Sequence, residues 1–305
     1  MALEKAHSGQ ITYLCLPYDL ERDIFELTAQ TFPGTAVKLA LVSSYVQRWM
    51  EMFLYKIVVL DAPFNSIQLF LRTFHSRPRA FFAEYVKHLY LTSIVGITEA
   101  HELVSACESA QTVSCWVDAR PQLRGLHSIL PTRNLRRLSM KLETLWGYSY
   151  KSGEDGFRPE DYPQLTHLEL VNPPGYNTIM NLDWEGICRL PALTHLALGH
   201  LWAHNHMYLL PVMEEFLRQC QKLQVLVVVA HDADFVSAFR AEGTFKNPRT
   251  VLLPEFHWPT THTDYWANLR KGGPGIWENA EKMRNKQEQD QQPCLLQPLH
   301  VASIN

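Results

Sequence analysis

Leu165-Thr166-His167-Leu168-Glu169-Leu170 returns 28 residues later as Leu193-Thr194-His195-Leu196-Ala197-Leu198. The same Leu-x-x-Leu-x-Leu pattern underlies Val86-Lys87-His88-Leu89-Tyr90-Leu91, Leu135-Arg136-Arg137-Leu138-Ser139-Met140 and Leu223-Gln224-Val225-Leu226-Val227-Val228. Weaker copies centre on Val113 and Val251. The central positions 89, 113, 138, 168, 196, 226 and 251 are 24, 25, 30, 28, 30 and 25 residues apart. Self-similarity at this period marks a solenoid, in which each copy supplies one strand and stacking buries a shared core.

Side chains alternate faces along a strand. The leucines of each hexamer therefore point into the core, and the residues flanking the second leucine point out. Leu168 and Leu196 take equivalent buried positions, and Glu169 is expected on the outer side. The outer column reads His88/Tyr90, Thr112/Ser114, Arg137/Ser139, His167/Glu169, His195/Ala197, Val225/Val227 and Thr250/Leu252. It is polar early and apolar late. Two readings remain open for it: a target-binding groove, or a solvated face whose apolar end is covered by the C-terminal segment. Strands about 4.8 Å apart would bring His88, Arg137, His167 and His195 into one row. Such a row suits an acidic or phosphorylated segment, with histidines gaining charge below about pH 6.5. Tyr90, and an aromatic loop at Trp146 and Tyr148, extend that candidate surface.

Composition narrows the function classes. Apolar residues make up 46% and charged residues 19% of the 305-residue chain, within the range of a globular protein able to bury a sizeable core. A net charge of −3 argues against electrostatic nucleic-acid binding. No apolar run reaches the ~20 residues of a membrane span, and residues 1–10 lack the apolar core of a signal peptide. The cysteines at 15, 107, 115, 188, 220 and 294 form no Cys-x-x-Cys pair, and Cys115 and Cys188 read as small buried hydrophobes. A reducing compartment, cytoplasmic or nuclear, is expected.

Between the hexamers the apolar spacing turns helical. Helices are expected over residues 17–31, 35–43, 45–55, 64–73, 81–86, 98–109 (with Thr98 as N-cap), 207–219, 233–241 and 276–287, and a first strand over 57–60. Residues 143–163 and 259–275 read as irregular, and 288–305 as a frayed, Gln-rich end. The division is then 1–10 as a tail, 11–60 as a helical module, 61–258 as the repeat domain and 259–305 as a C-terminal segment. Strand–helix alternation at this period gives an α/β solenoid of about seven parallel strands. Its sheet lies on the concave face and its helices on the convex face. The hexamer is that of a leucine-rich repeat.

The N-terminal module carries a resemblance. Leu16-Pro17-Tyr18-Asp19-Leu20, Ile24-Phe25-Glu26-Leu27, Leu41-Val42-Ser43, Arg48-Trp49 and Leu54-Tyr55 follow the Leu-Pro, Ile-Phe, Val-Ser, Trp and Leu-Tyr steps of an F-box. With Gly272-Gly273-Pro274-Gly275-Ile276-Trp277-Glu278, the chain resembles the fungal F-box-like / leucine-rich-repeat proteins over roughly residues 14–288. Two positions depart from the pattern: Asp19 replaces a Glu, and Glu21 stands where an apolar residue is usual. The resemblance implies a three-helix F-box that binds a Skp-type adaptor, and through it a cullin. Leu16, Pro17, Leu20, Ile24, Phe25, Leu27, Leu41, Val42 and Trp49 are the contacts it implies, with the repeats holding a protein target. The chain would then be the substrate-recruiting subunit of a ubiquitin ligase, with no covalent chemistry and no cofactor of its own. An interaction scaffold without ligase activity is the alternative, kept open by Glu21.

Other motifs carry less. His195, His200, His204 and His206 could suggest a metal hydrolase, but no Cys pair or His-Glu-x-x-His accompanies them, so no metal is expected. Gly272-Gly273-Pro274-Gly275 lacks the Gly-Lys-Ser/Thr ending of a phosphate loop and reads as a hinge into a helix. Asp232 and Asp234 fit the start of a helix, where carboxylates meet its dipole. No Gly-x-Ser-x-Gly occurs.

Overall fold

The computed structural model describes residues 16–32, 34–148, 156–171, 184–201, 206–230, 233–241, 247–253 and 260–291. The N-terminal tail, Cys15, Tyr150, Glu154-Asp155, Trp202, His204, His231-Asp232, Cys294 and residues 292–305 lie outside them. So do the side chains of His200 and His206. The chain forms two compact units that divide between Leu54 and Tyr55.

The first unit is three helices: α1 (Tyr18–Thr31), α2 (Thr35–Leu39) and α3 (Ser44–Leu54). Pro17 precedes the first helical residue, where a missing N–H costs nothing. Gly34, at φ 92°, makes the left-handed turn into α2. The core is small: Ala29, Ala36, Val46, Trp49 and Met50 are buried, with Phe25, Leu39, Tyr45 and Phe53 packed around them.

The second unit is built on one eight-stranded parallel sheet, its strands in sequence order. The strands are β1 (Ile57–Leu60), β2 (His88–Leu91), β3 (Thr112–Cys115), β4 (Arg137–Met140), β5 (His167–Leu170), β6 (His195–Leu201), β7 (Val225–Ala230) and β8 (Thr250–Leu253). Between them lie α4 (Phe64–Ser76), α5 (Arg79–Tyr85), α6 (Ile97–Ala106), α7 (Leu142–Trp146), α8 (Trp184–Cys188), α9 (His206–Gln219) and α10 (Ala233–Ala241). This α/β arrangement is compatible with a solenoid. The hexamer leucines do what their spacing predicts: Leu89, Leu138, Leu168, Leu196 and Leu226 are all buried in one cluster with the inner faces of the helices. The recurring threonine has its own role. The Thr166 N–H donates to the Arg136 carbonyl and the Thr194 N–H to the Thr166 carbonyl (2.9 Å each), tying each strand's entry to the previous one, and each hydroxyl lies beside the same carbonyl.

Several expectations need correction. Two-sided apolar strands hide their phase, because a one-residue slip in Thr-Val-Leu-Leu still buries leucines. Thr250 pairs with Leu226 and Val251 with Val227, so β8 turns Val251 and Leu253 outward rather than Thr250 and Leu252. Gly96, not Thr98, is the N-cap of α6, which spans Ile97–Ala106. The region expected to be irregular holds α11 (Thr260–Arg270), and α12 runs over Ile276–Gln291, past the expected 287. The stretch from 143 begins inside α7, whose Trp146 packs against Phe157 in the core (4.9 Å). Cys188 is not a free thiol; it is disulfide-bonded to Cys220. Cys107 and Cys115 are buried thiols, pushed up to about 12 by burial.

Both faces of the sheet are covered, as parallel sheets require. The inter-strand helices take the inner face. On the outer face Trp266 and Leu269 of α11 join Val59, Trp116 and Val171. Ile276, Trp277 and Ala280 of α12 join Ala197, Val225, Val227, Val229, Val251 and Leu253.

Candidate functional site

Two surfaces hold the residues singled out in the sequence. The first is α1. Positions 20, 24 and 27 fall on one helical stripe, and the structure leaves that stripe outside. Leu16, Leu20, Ile24 and Leu27 are each more than half exposed, and Leu41 and Val42 after α2 are 83% and 60% exposed. Among the described residues α1 buries only Ala29 outright. Soluble proteins rarely leave such a run of large aliphatic side chains in water unless something covers it. Phe25 and Trp49 differ: they are in or against the core, so they shape the surface from behind. Trp49 meets Tyr18 and Tyr45 edge-on (5.0 and 5.1 Å), and its Nε1–H donates to Tyr18 Oη (3.2 Å). Glu21 faces inward too. Its Oε1 accepts from Tyr45 Oη at 2.8 Å, so its carboxylate is turned from the apolar stripe toward α3.

The second surface is the outer face of the sheet. Strand register places His88, Thr112, Arg137, His167, His195 and Val225 in one row, and Tyr90, Ser114, Ser139, Glu169, Ala197 and Val227 in the next. The expected row therefore exists, but α12 lies on it. Arg137 Nη1 donates to Glu278 Oε1 (2.8 Å). The rings of His167 and His195 stack at 4.2 Å, and Trp277 stands edge-on to both, at 5.0 and 5.9 Å. His195 Nε2 meets Glu281 Oε1 at 3.1 Å while its Nδ1 meets Thr194 Oγ1 at 2.8 Å. The Glu281 carboxylate can only accept, so the neutral ring carries its proton on Nε2, which donates to Glu281, and Nδ1 accepts from Thr194 Oγ1. Tyr148 is exposed, whereas Trp146 is buried and offers no lid.

The electrostatics of this row differ from the expectation of a cationic cleft. Burial holds His167 down at about 3, helped by the neighbouring His195 and Arg137. Burial, with Lys56 and Arg137, holds His88 at about 4. Burial lowers His195 as well, against the opposing pull of Glu281. All three are neutral at pH 7, and Arg137 is the row's only cation there. Burial pushes Glu278 up, but backbone N–H groups at 278 and 275 together with Arg137 outweigh it and bring it below the carboxylate range. The Arg137–Glu278 pair is 38% and 43% exposed, so Arg137→Ala is expected to cost less than about 1 kcal/mol in a denaturation midpoint.

The second row holds a polar residue that alternation alone would put in solvent. Glu169 is buried, in a cavity of about 30 Å³ lined also by Tyr90, Ser114, Ser139 and Tyr265. Trp116 Nε1–H donates to Ser139 Oγ (2.8 Å), which leaves the Ser139 hydroxyl to donate to Glu169. Burial raises Glu169 to about 7 despite that bond. Burial also pushes Tyr265 well above its usual value, with Glu169 and Tyr90 adding to it. Among the described residues no group of three His, Cys, Asp or Glu side chains could hold a metal.

Trp277, Glu278, Glu281 and Trp266 belong to this site; the C-terminal segment covers the apolar end of the outer column, one of the two readings the sequence left open, but its reach over the polar end through these side chains was not legible there. Periodicity within a segment says nothing about which distant strand that segment will cover. Comparison with protein-family models, curated proteins and solved structures returns no match for this chain.

Proposed function

We propose that the chain is the substrate-recruiting subunit of a Skp–cullin–F-box ubiquitin ligase. On this reading α1–α3 form an F-box and the strand–helix units form leucine-rich repeats. The observation that carries the reading is the exposed row Leu16, Leu20, Ile24 and Leu27 with Leu41 and Val42. These are the aliphatic positions at which the F-box resemblance implies adaptor contacts, and in the folded chain they are left uncovered. The inward turn of Glu21 supports the reading, because its carboxylate bonds to Tyr45 instead of standing on the stripe. The chain works by proximity: one unit holds the adaptor, the other a protein target, and the target's effective concentration at the ligase rises. The row from His88 to His195, with Tyr90 beside it, is the target surface of this reading. The complex would work in the cytosol or nucleus.

Full-length protein is expected to co-purify with a Skp-type adaptor. Ile24→Asp puts a charge into an apolar interface and is expected to weaken that binding by at least about 2 kcal/mol, roughly thirty-fold. Ile24 is half exposed in the free chain, so circular dichroism and melting should not change. Wild-type protein that never retains the adaptor would replace this reading with that of an interaction scaffold lacking ligase activity.

A further inference from the structure

The outer face of the sheet is covered in part by a helix of the same chain. Three neighbouring positions of α12 make its polar and aromatic contacts. Trp277 stands against the stacked His167 and His195 rings, Glu278 pairs with Arg137, and Glu281 takes the His195 proton donor. Ile276 and Ala280 complete the set by packing on the apolar end of the row at Val225, Val227 and Val251. The helix thus reads the row from Arg137 to Val225: aromatic on His167 and His195, carboxylates on Arg137 and His195, aliphatic on the valines.

The attachment is shallow. Of α12's described side chains only Ile276, Trp277 and Ala280 are buried, all within its first two turns, and residues 285, 286, 288 and 289 are exposed. Its ion pair to Arg137 and its hydrogen bond with His195 are on the rim, with Glu278 43% and Glu281 50% exposed, where such contacts add little. The helix is joined to α11 through Gly272-Gly273-Pro274-Gly275, and Gly272 sits at φ 74°, a left-handed turn that suits glycine. Helix α11 is held otherwise: Trp266 is buried, edge-on to Trp116 at 4.8 Å and beside Tyr90. Segments with few buried contacts open locally before the rest of a fold.

We propose that α12 is a displaceable internal ligand that closes the target face, and that the partner it stands in for is an acidic amphipathic helix with an aromatic anchor followed by carboxylates one and four positions on. The inference rests on the reading of the repeats as the target-binding part. Arg137 and His195 then select the carboxylates, the stacked histidines the aromatic ring, and Val225, Val227 and Val251 the aliphatic side. Removing α12 without replacement would expose those valines, so an incoming helix must match its apolar face as well as its charge.

The test uses a fluorescent peptide of residues 274–291 of this chain and the full-length protein. Glu278→Lys combined with Glu281→Lys repels Arg137 and abolishes acceptance from His195 without touching a buried apolar side chain. The double variant is expected to bind the peptide at least tenfold more tightly than wild type in an anisotropy titration. A peptide with Trp277→Ala should not bind. In wild type, hydrogen exchange of amides 279–284 should be at least tenfold faster than that of β4–β7, independent of any variant's folding. If those amides exchange only with global unfolding, α12 is a fixed part of the core and the proposal falls. Equal binding of the peptide by wild type and variant, or none by either, overturns it too. No adaptor is present in these measurements, so their failure is distinct from a failure of the ligase reading.

Discussion

Leu196→Ala is expected to lower unfolding free energy by about 2–5 kcal/mol, the range for a buried leucine cut back to its Cβ. Leu196 has no exposed surface; its strand pairs with β5 at Leu168 and β7 at Leu226. The stack has no alternative packing for that layer: Leu168 and Leu226 are also fully buried and fixed in register, so neighbours cannot collapse into the gap without breaking the ladder. In stacked repeats each unit is stabilised mainly by its neighbours, and the loss should appear as a lower urea midpoint for the whole second unit. Leu168→Ala is expected to behave alike. Gln224→Ala, on an exposed side chain two positions from Leu226, should change the midpoint by less than about 0.5 kcal/mol. Equal losses at Leu196 and Gln224 would mean that the strand register is wrong.

Those leucines were legible in the sequence because strand alternation is a local rule, and each hexamer carries it whole. The positions of β2 to β7 follow from it residue by residue. The rule failed at β8, where Thr250-Val251-Leu252-Leu253 is apolar in both phases and pairing alone decides the face. It failed differently at α11. Thr260-Thr261-His262-Thr263-Asp264 opens the helix with poor helix formers, and the segment is ordered by Trp266 docking on Trp116, about 150 residues earlier in the chain. The stripe at Leu20, Ile24 and Leu27 was visible as periodicity, yet periodicity would place it in a core. Its exposure emerges only once α2 and α3 are seen to cover the opposite side of α1. Glu169 and Trp277 share the same blind spot: each meets a partner about 100 residues away in the chain, Tyr265 for Glu169 and His167 for Trp277.

Glu169→Gln is expected to stabilise the protein above pH 7 by up to about 3 kcal/mol and to leave it unchanged near pH 4.5. The carboxyl titrates at about 7 in the folded chain against 4.5 for its ordinary value. A raised folded value means that its contribution is fully present below 4.5 and is lost as pH rises through 7. The gap between 4.5 and about 7 corresponds to about 3 kcal/mol. Gln keeps the volume and can still accept from Ser139, but never charges. The groups facing Glu169 are Ser139 from β4, Tyr90 from β2 and Tyr265 from α11, with Arg137 and Glu278 lining the same cavity. The histidines of the first row work in the opposite direction. Their folded values are lowered, to about 4 for His88 and about 3 for His167, so their contribution is complete above pH 6.5 and is lost as pH falls through those values. Wild-type stability should therefore peak near pH 6.5, with Glu169 setting the alkaline side and the histidines the acid side. Subtracting wild-type from Glu169→Gln denaturation midpoints at pH 5, 6, 7 and 8 cancels the histidines and isolates the carboxyl. The difference should grow with pH through 7. A difference that stays flat across that range would mean Glu169 holds the same charge in the folded and unfolded chain, and that α11 and α12 do not seal it from water.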